Sequence, residues 1–191
     1  NFCYYKTKIS VKGAFNPSWR FPVPRGPYGI WSPKAERIFS KDWLEYTAAL
    51  GIDFNHALLF YRNSNMTSKE AHVDTHAITH EFVNSGFNWV IGGEGSMMHW
   101  YKLPNMNVAS VVKDPRTNVP YTTFQFKDLT PIESTEIKNE ITLVRTGIPH
   151  SISMGTDPRW CISARLKTEQ DLSWNEIVEL MRSKDLLEER Q

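Results

Sequence analysis

The chain is poor in the features that commit small proteins to special chemistry or special surroundings. Only two of its 191 residues are cysteine, Cys3 and Cys161. They are too few and too far apart for a disulfide framework or a zinc ribbon, and they point to a reducing, cytoplasmic compartment. The 22 Lys and Arg against 21 Asp and Glu leave a formal charge of +1, so no strong field draws the protein to nucleic acid or to a membrane surface. No apolar run approaches the roughly 20 residues needed to span a bilayer, and the first residues carry no signal-peptide pattern. Internal repeats, low-complexity runs and domain linkers are also missing. The length therefore suits a single domain, 1–191, with a sizeable core.

What is present is 40% hydrophobic and 13% aromatic residues, an ordinary globular composition. Five of the 11 prolines fall within the first 33 residues, where they oppose long regular elements. Phe15, Trp19, Phe21, Tyr28 and Trp31 lie between them, and a disordered tail rarely carries so many aromatics. Residues 1–40 are expected to form an ordered arm on the core.

Ser40 is placed to cap a helix running to about Leu50, with Trp43, Tyr46, Thr47 and Leu50 on one face and Gly51 beyond the end. Short strands are expected at His56–Arg62, Ala71–His76, Gly86–Ile91, Ser96–Tyr101, Tyr121–Phe126, Glu140–Arg145, around His150, and at Arg159–Leu166. The glycines of Gly92–Gly95 supply the positive φ values that a hairpin between the third and fourth of these needs. Ser173-Trp-Asn-Glu176 is a capping box opening a C-terminal helix over 173–190. About eight strands at close spacing, with a helix before and a helix after, predict a mainly β domain of jelly-roll (cupin-like, double-stranded β-helix) type, its core over 56–166.

The residues with chemical content are His72 and Asp74, in Glu70-Ala-His-Val-Asp-Thr-His76, and the distant His150. In a strand, positions i and i+2 face the same way. His72 and Asp74 can therefore share an ion, with His150 as third ligand from a strand that a jelly roll brings alongside. Two imidazoles and one carboxylate with open positions form the facial triad of non-heme Fe(II) oxygenases. A tetrahedral zinc site from His72, Asp74 and His76, that of a zinc-dependent hydrolase, is an alternative. Arg159 and Arg165, on one face of the last strand, are candidates to hold the far carboxylate of a dicarboxylate cosubstrate, a task suited to a planar guanidinium fork. Arg159 is preferred because it follows directly on the turn after His150.

His72-x-Asp74, His150 and Arg159 resemble the HxD…H…R pattern of the Fe(II)/2-oxoglutarate-dependent dioxygenases. Phe87-Asn-Trp-Val-Ile91, Gly95-Ser-Met-Met-His-Trp-Tyr101, Leu143-Val-Arg-Thr-Gly-Ile-Pro-His150 and Pro158-Arg-Trp-Cys-Ile-Ser163 are most similar to the aspartyl/asparaginyl β-hydroxylase-type and phage-encoded members. The resemblance spans about residues 56–166. Cys161 stands where another branch of the superfamily has a serine two residues after the arginine.

The resemblance implies Fe(II) held by His72, Asp74 and His150, 2-oxoglutarate and O2 as cosubstrates, and release of succinate and CO2. It further implies hydroxylation of an unactivated C–H bond in a small molecule, a peptide or a protein side chain. Asn88, Trp100 and Tyr61, on flanking strands, are candidates to line the cosubstrate pocket with Arg159 or Arg165. Substrate contacts are expected from the arm and from the Asn63–Glu70 and Asn105–Val119 loops, with Lys102, Lys113 and Arg116 near the second. A reading from another class is a jelly-roll module that binds a ligand, with or without a structural metal, and catalyses nothing.

Overall fold

The computed structural model of the chain describes residues 2–64, 66–75, 82–103, 110–113, 120–167 and 172–190. Two six-stranded sheets, antiparallel at every pairing, dominate it. The first runs in the order β1 (Tyr4–Lys6), β10 (Ile141–Arg145), β5 (Ser85–Gly92), β12 (Arg159–Leu166), β3 (Phe54–Arg62), β2 (Tyr28–Trp31). The second runs β7 (Ser110–Lys113), β8 (Pro120–Phe124), β4 (Ala71–Val73), β11 (His150–Ser153), β6 (Met97–Lys102), β9 (Thr130–Glu136). Three helices, α1 (Ala35–Ile38), α2 (Lys41–Ala49) and α3 (Trp174–Ser183), complete the described elements, with a 3-10 turn at Phe126–Asp128. Among the described residues no helix is long and apolar enough to cross a membrane.

The chain steps repeatedly between sheets, β4 to β5, β5 to β6, β9 to β10, β10 to β11 and β11 to β12. The expected hairpin between β5 and β6 is therefore not one. Gly92, Gly93 and Gly95 do adopt φ values of +69°, +66° and +74°, but they carry the chain across to the other sheet. Gly92 and Gly93 are further constrained by close approach. A Cβ on Gly92 would stand 2.6 Å from the Pro158 carbonyl, and one on Gly93 2.6 Å from Cβ of Arg159.

Alternation on the strands builds two cores. On β12, Ile162, Ala164 and Leu166 face the side covered by the helices and the arm, where Leu59, Phe87, Trp43, Ile38, Ile177 and Met181 join them. The odd positions face the other sheet, and Cys161 packs there with Val90, Val144, Trp100, Met98 and Ile152. A period of two thus separates an apolar, helix-covered face from an inter-sheet face that also carries Arg159, Ser163 and Arg165.

The arm is ordered, as its aromatics predict, and more regular than its prolines suggest. It supplies both edge strands of the first sheet, β1 against β10 and β2 against β3. Phe15 stacks on Trp89 at 4.6 Å, and Phe21 packs at a tilt on Trp160 at 4.8 Å. Twelve strands are described rather than eight; β1, β2, β7 and β9 are additional, and β7 and β9 lie at the edges of the second sheet. Short edge strands make half the ladder contacts of a central one and leave weaker periodicity to read.

Ser40 accepts a hydrogen bond from the Trp43 amide and Gly51 takes φ +77°, so α2 begins and ends as expected. Tyr46, expected on its inward face, is instead exposed, whereas Trp43 and Thr47 are buried. The Ser173–Glu176 capping box forms, but α3 stops at Ser183, not near residue 190; Asp185 takes a positive φ just beyond it. The strand expected over Tyr121–Phe126 ends at Phe124.

Ile162 is 1% exposed at the centre of the first sheet, opposite Leu59 and Trp89. Ile162→Ala is expected to cost about 2–5 kcal/mol of stability, measured by denaturant unfolding. Metal uptake by the folded fraction is expected to be unchanged, because this side chain points away from the inter-sheet space.

Candidate metal centre

The two histidines meet because β4 and β11 are neighbours with His72 directly opposite His150. Directly opposed residues on antiparallel strands project to the same face with Cβ atoms about 4.5–5.5 Å apart; here the ring centroids are 4.3 Å apart. Asp74 lies one residue past the end of β4 and not within it. Its backbone is nevertheless held, with its amide donating to Thr146 and its carbonyl accepting from Val83. The Asp74 side chain turns inward, with Oδ1 3.6 Å from Nε2 of His72 and 3.6 Å from Nε2 of His150. Those separations are too long for hydrogen bonds, but they suit donors sharing an ion with bonds of about 2.0–2.2 Å. One donor atom from each of the three residues falls within 4.8 Å of the others.

Protonation agrees with a ligand set. Nδ1 of His150 lies 3.0 Å from the Ile148 carbonyl. A carbonyl only accepts, so Nδ1 carries the hydrogen and Nε2 presents a bare lone pair. Burial, and then the neighbouring imidazole of His150, push the His72 pKa down to about 3. Burial likewise lowers His150. Burial alone would raise Asp74, but the Arg165 guanidinium, with the two imidazoles, outweighs it and holds the carboxyl below its usual range. Neutral imidazoles and an ionised carboxylate are the state a divalent metal requires, so the donor set fits such an ion.

The two candidate arginines occupy opposite ends of β12, facing the same inter-sheet space. Arg165 is at the triad end and binds Oδ2 of Asp74 at 2.7 Å. Arg159 is opposite Arg62 and Gly92, six residues and about 20 Å along the strand from Arg165. It is 4% exposed, and its Nε has no hydrogen-bond partner.

Arg62 was not among the residues singled out from the sequence, although strand parity could have placed it on the inner face. Its Nη1 donates to the Met66 carbonyl at 3.0 Å and to Ser68 Oγ at 3.2 Å, and its guanidinium lies 5.3 Å from the centre of the Tyr28 ring. Burial, and then Arg159 beside it among the charges, lower the Arg62 pKa. Among the described residues neither arginine is ion-paired with an acid. A buried cation, Arg159, beside a half-buried one, Arg62, is unfavourable unless an anion joins them.

Neither a protein-family model nor a curated protein matches this chain. Its function is therefore read from the geometry of the site.

Asn88 lies in register with Ser163 on one side and Thr142 on the other, facing the inter-sheet space. It is 7% exposed and its Oδ1 is unpartnered. Trp100 stands directly opposite His150 on β6; its indole N–H is committed to the Arg145 carbonyl at 2.7 Å, and its ring stacks on Tyr4. It therefore forms a wall beside His150 and has no donor to offer.

Tyr61 is a correction. It sits opposite Trp160, 5.0 Å between rings, on the helix-covered face of the first sheet. It is one residue out of phase with Phe60 and Arg62, and so it cannot line a pocket between the sheets. His76, and with it the zinc alternative, lies outside the described residues. So do Arg116 and most of the Asn105–Val119 loop. His99 pairs with Ser153 Oγ at 2.7 Å on the outer side of the second sheet, away from the triad.

Asp74→Asn and His150→Ala are each expected to abolish stoichiometric uptake of Co(II) or Zn(II) by the metal-free chain, measured by equilibrium dialysis. His76→Ala is expected to retain it. The reverse pattern would transfer the third ligand to His76.

Proposed function

We propose that the protein is an Fe(II)- and 2-oxoglutarate-dependent dioxygenase that hydroxylates an unactivated C–H bond of a small metabolite or a protein side chain. The overall balance is substrate, 2-oxoglutarate and O2 to hydroxylated substrate, succinate and CO2. One observation carries this reading: a two-histidine, one-carboxylate set shares one inter-sheet space with an acid-free pair of arginines, Arg159 buried and Arg62 half-buried. Such a set leaves coordination positions open, and such a pair is built to take a carboxylate that is not the protein's own. The strands' repeated stepping between two facing antiparallel sheets supports describing the fold as a double-stranded β-helix, the jelly-roll arrangement in which early and late strands become neighbours. Two free, buried cysteines accord with a reducing, cytoplasmic setting.

When bound, Fe(II) supplies the redox and oxygen chemistry, which no side chain here can perform. The chain's own share is orientation and exclusion. His72 and His150 are ligands through Nε2, and the bond from His150 Nδ1–H to the Ile148 carbonyl keeps its ring from turning. Arg159 and Arg62 hold the far carboxylate of 2-oxoglutarate. Asn88 offers a polar contact along the way, and Trp100, Val90, Cys161, Ile152 and Phe60 exclude water from the space between. A dry, low-dielectric interior strengthens every one of these charged contacts.

The test is anaerobic addition of Fe(II) and 2-oxoglutarate, expected to produce the weak visible charge-transfer band of a chelated oxoacid. A succinate-release screen over amino acids, peptides and nucleotides in air then identifies the substrate class. No band, and no oxoacid consumed with any substrate, would leave a binding module without catalysis. Arg159→Met and Arg62→Met are each expected to raise the 2-oxoglutarate dissociation constant by about 10–100-fold, the worth of a charge-assisted hydrogen bond, with Co(II) affinity unchanged.

A further inference from the structure

Arg165 is 2% exposed, and its guanidinium is committed in two directions. Nη1 donates to the Ser85 carbonyl at 2.9 Å and Nη2 to Oδ2 of Asp74 at 2.7 Å. The main chain makes room for it at Gly86, where a Cβ would stand 3.3 Å from Nη1 of Arg165 and 2.9 Å from Oγ of Ser163. Two bonds, one to β5 at Ser85 and one to the Asp74 side chain just past β4, fix the plane of the fork. They also divide the Asp74 carboxylate: Oδ2 is taken, and Oδ1 alone faces the two imidazole Nε2 atoms.

We infer that Arg165 is a positioning residue that restricts Asp74 to coordination through one oxygen. The inference rests on the metal reading proposed above and adds a constraint to it. Carboxylates ligate metals through one oxygen or through two. With one, the three protein ligands leave three of six positions on an octahedral ion. With two, only two remain, and a bidentate oxoacid would fill both. Arg165 therefore keeps the last position available by withholding an oxygen, without touching the ion itself. The role differs from that of Arg159: both arginines point into the same space, but only Arg165 is already matched with an acid.

The experiment titrates the metal-free chain with Co(II) alone and reads the d–d absorption and the dissociation constant for wild type, Arg165→Gln and Arg165→Lys. Loss of the fork is expected to weaken Co(II) binding by about 10–100-fold, as for other groups that orient a metal ligand. It is also expected to alter the spectrum at saturation. Lysine is expected not to restore the spectrum, because one ammonium on a flexible stem cannot hold both Ser85 and Asp74. A purely structural role would lower the melting temperature and leave the saturated spectrum as in wild type; that result overturns the inference.

Should neither variant fold, the wild type decides. Infrared bands of carbon-13-labelled aspartate in the Zn(II)-loaded chain, assigned by difference from Asp74→Asn, give the splitting of the carboxylate stretches. A splitting wider than that of a free carboxylate supports one-oxygen ligation, and a narrower one overturns it. If the wild type takes up no Co(II) at all, the metal reading fails first and this inference with it. If the wild type binds Co(II) and the folded variants match it, this inference alone fails.

Discussion

Everything at the site depends on one register. His72 and His150 are directly opposite each other across β4 and β11, and β11 in turn sets Trp100 against His150 from β6. Side chains on a strand alternate faces, so a slip of one residue in either pairing would turn one imidazole out of the inter-sheet space and break the triad. That register is fixed mainly by packing. Ile152 and Met98 on the same inner face, with Val90, Val144 and Cys161 from the other sheet, fill the space that a slipped strand would need. The hydrophobic core and the convergence of His72, Asp74 and His150 are thus parts of the same constraint.

Charge follows the same geometry. Three guanidinium groups, Arg62, Arg159 and Arg165, are carried inward by adjacent strands, and they are handled differently. Arg165 is neutralised by Asp74 at 2.7 Å. Arg62 and Arg159 stand together at the other end of β12 with no acid among the described residues. A protein gains nothing in stability by burying cations unpaired, so the second pair is a feature that stability does not explain. The proposed function assigns that pair a carboxylate ligand. The Pro158–Arg159 turn approaches Gly92 and Gly93 so closely that a side chain there would collide with it, and the two glycines are part of what places the arginine.

Much of the site could be read from the chain itself. Each of His72, Asp74, His150, Arg159 and Arg165 is inward-facing, and β12 spans the residues its alternation indicates. The boundaries of α2 follow from Ser40 and Gly51, the opening of α3 from its capping box. The failures have physical causes. The strand of Tyr61 points to the pocket, but its parity on that strand turns it to the helix-covered face. The glycine-rich turn after β5 has hairpin chemistry, yet positive φ permits a sheet-crossing turn equally well. Edge strand β2 hides between Pro27 and Pro33 because an edge needs only half its backbone donors. Arg62, at the end of an apolar strand, looks like an ordinary terminal charge until its partner across the ladder is known.

By itself, the amino-acid sequence determined the local elements and picked out His72, Asp74 and His150 as a group that could hold a metal ion. Caps, glycines and period-two alternation act over a few residues, and few side-chain types can hold such an ion. Tertiary structure decided which arginine faces which partner, which face of the first sheet is the inner one, and that the crossing turns join sheets instead of neighbouring strands. Those choices depend on contacts between residues far apart in the chain, such as Asp74 with Arg165 and Tyr4 with Val144. Such contacts are settled only when both sheets close on a shared core, because that is when the cost of burying each charge is set by the neighbour it meets.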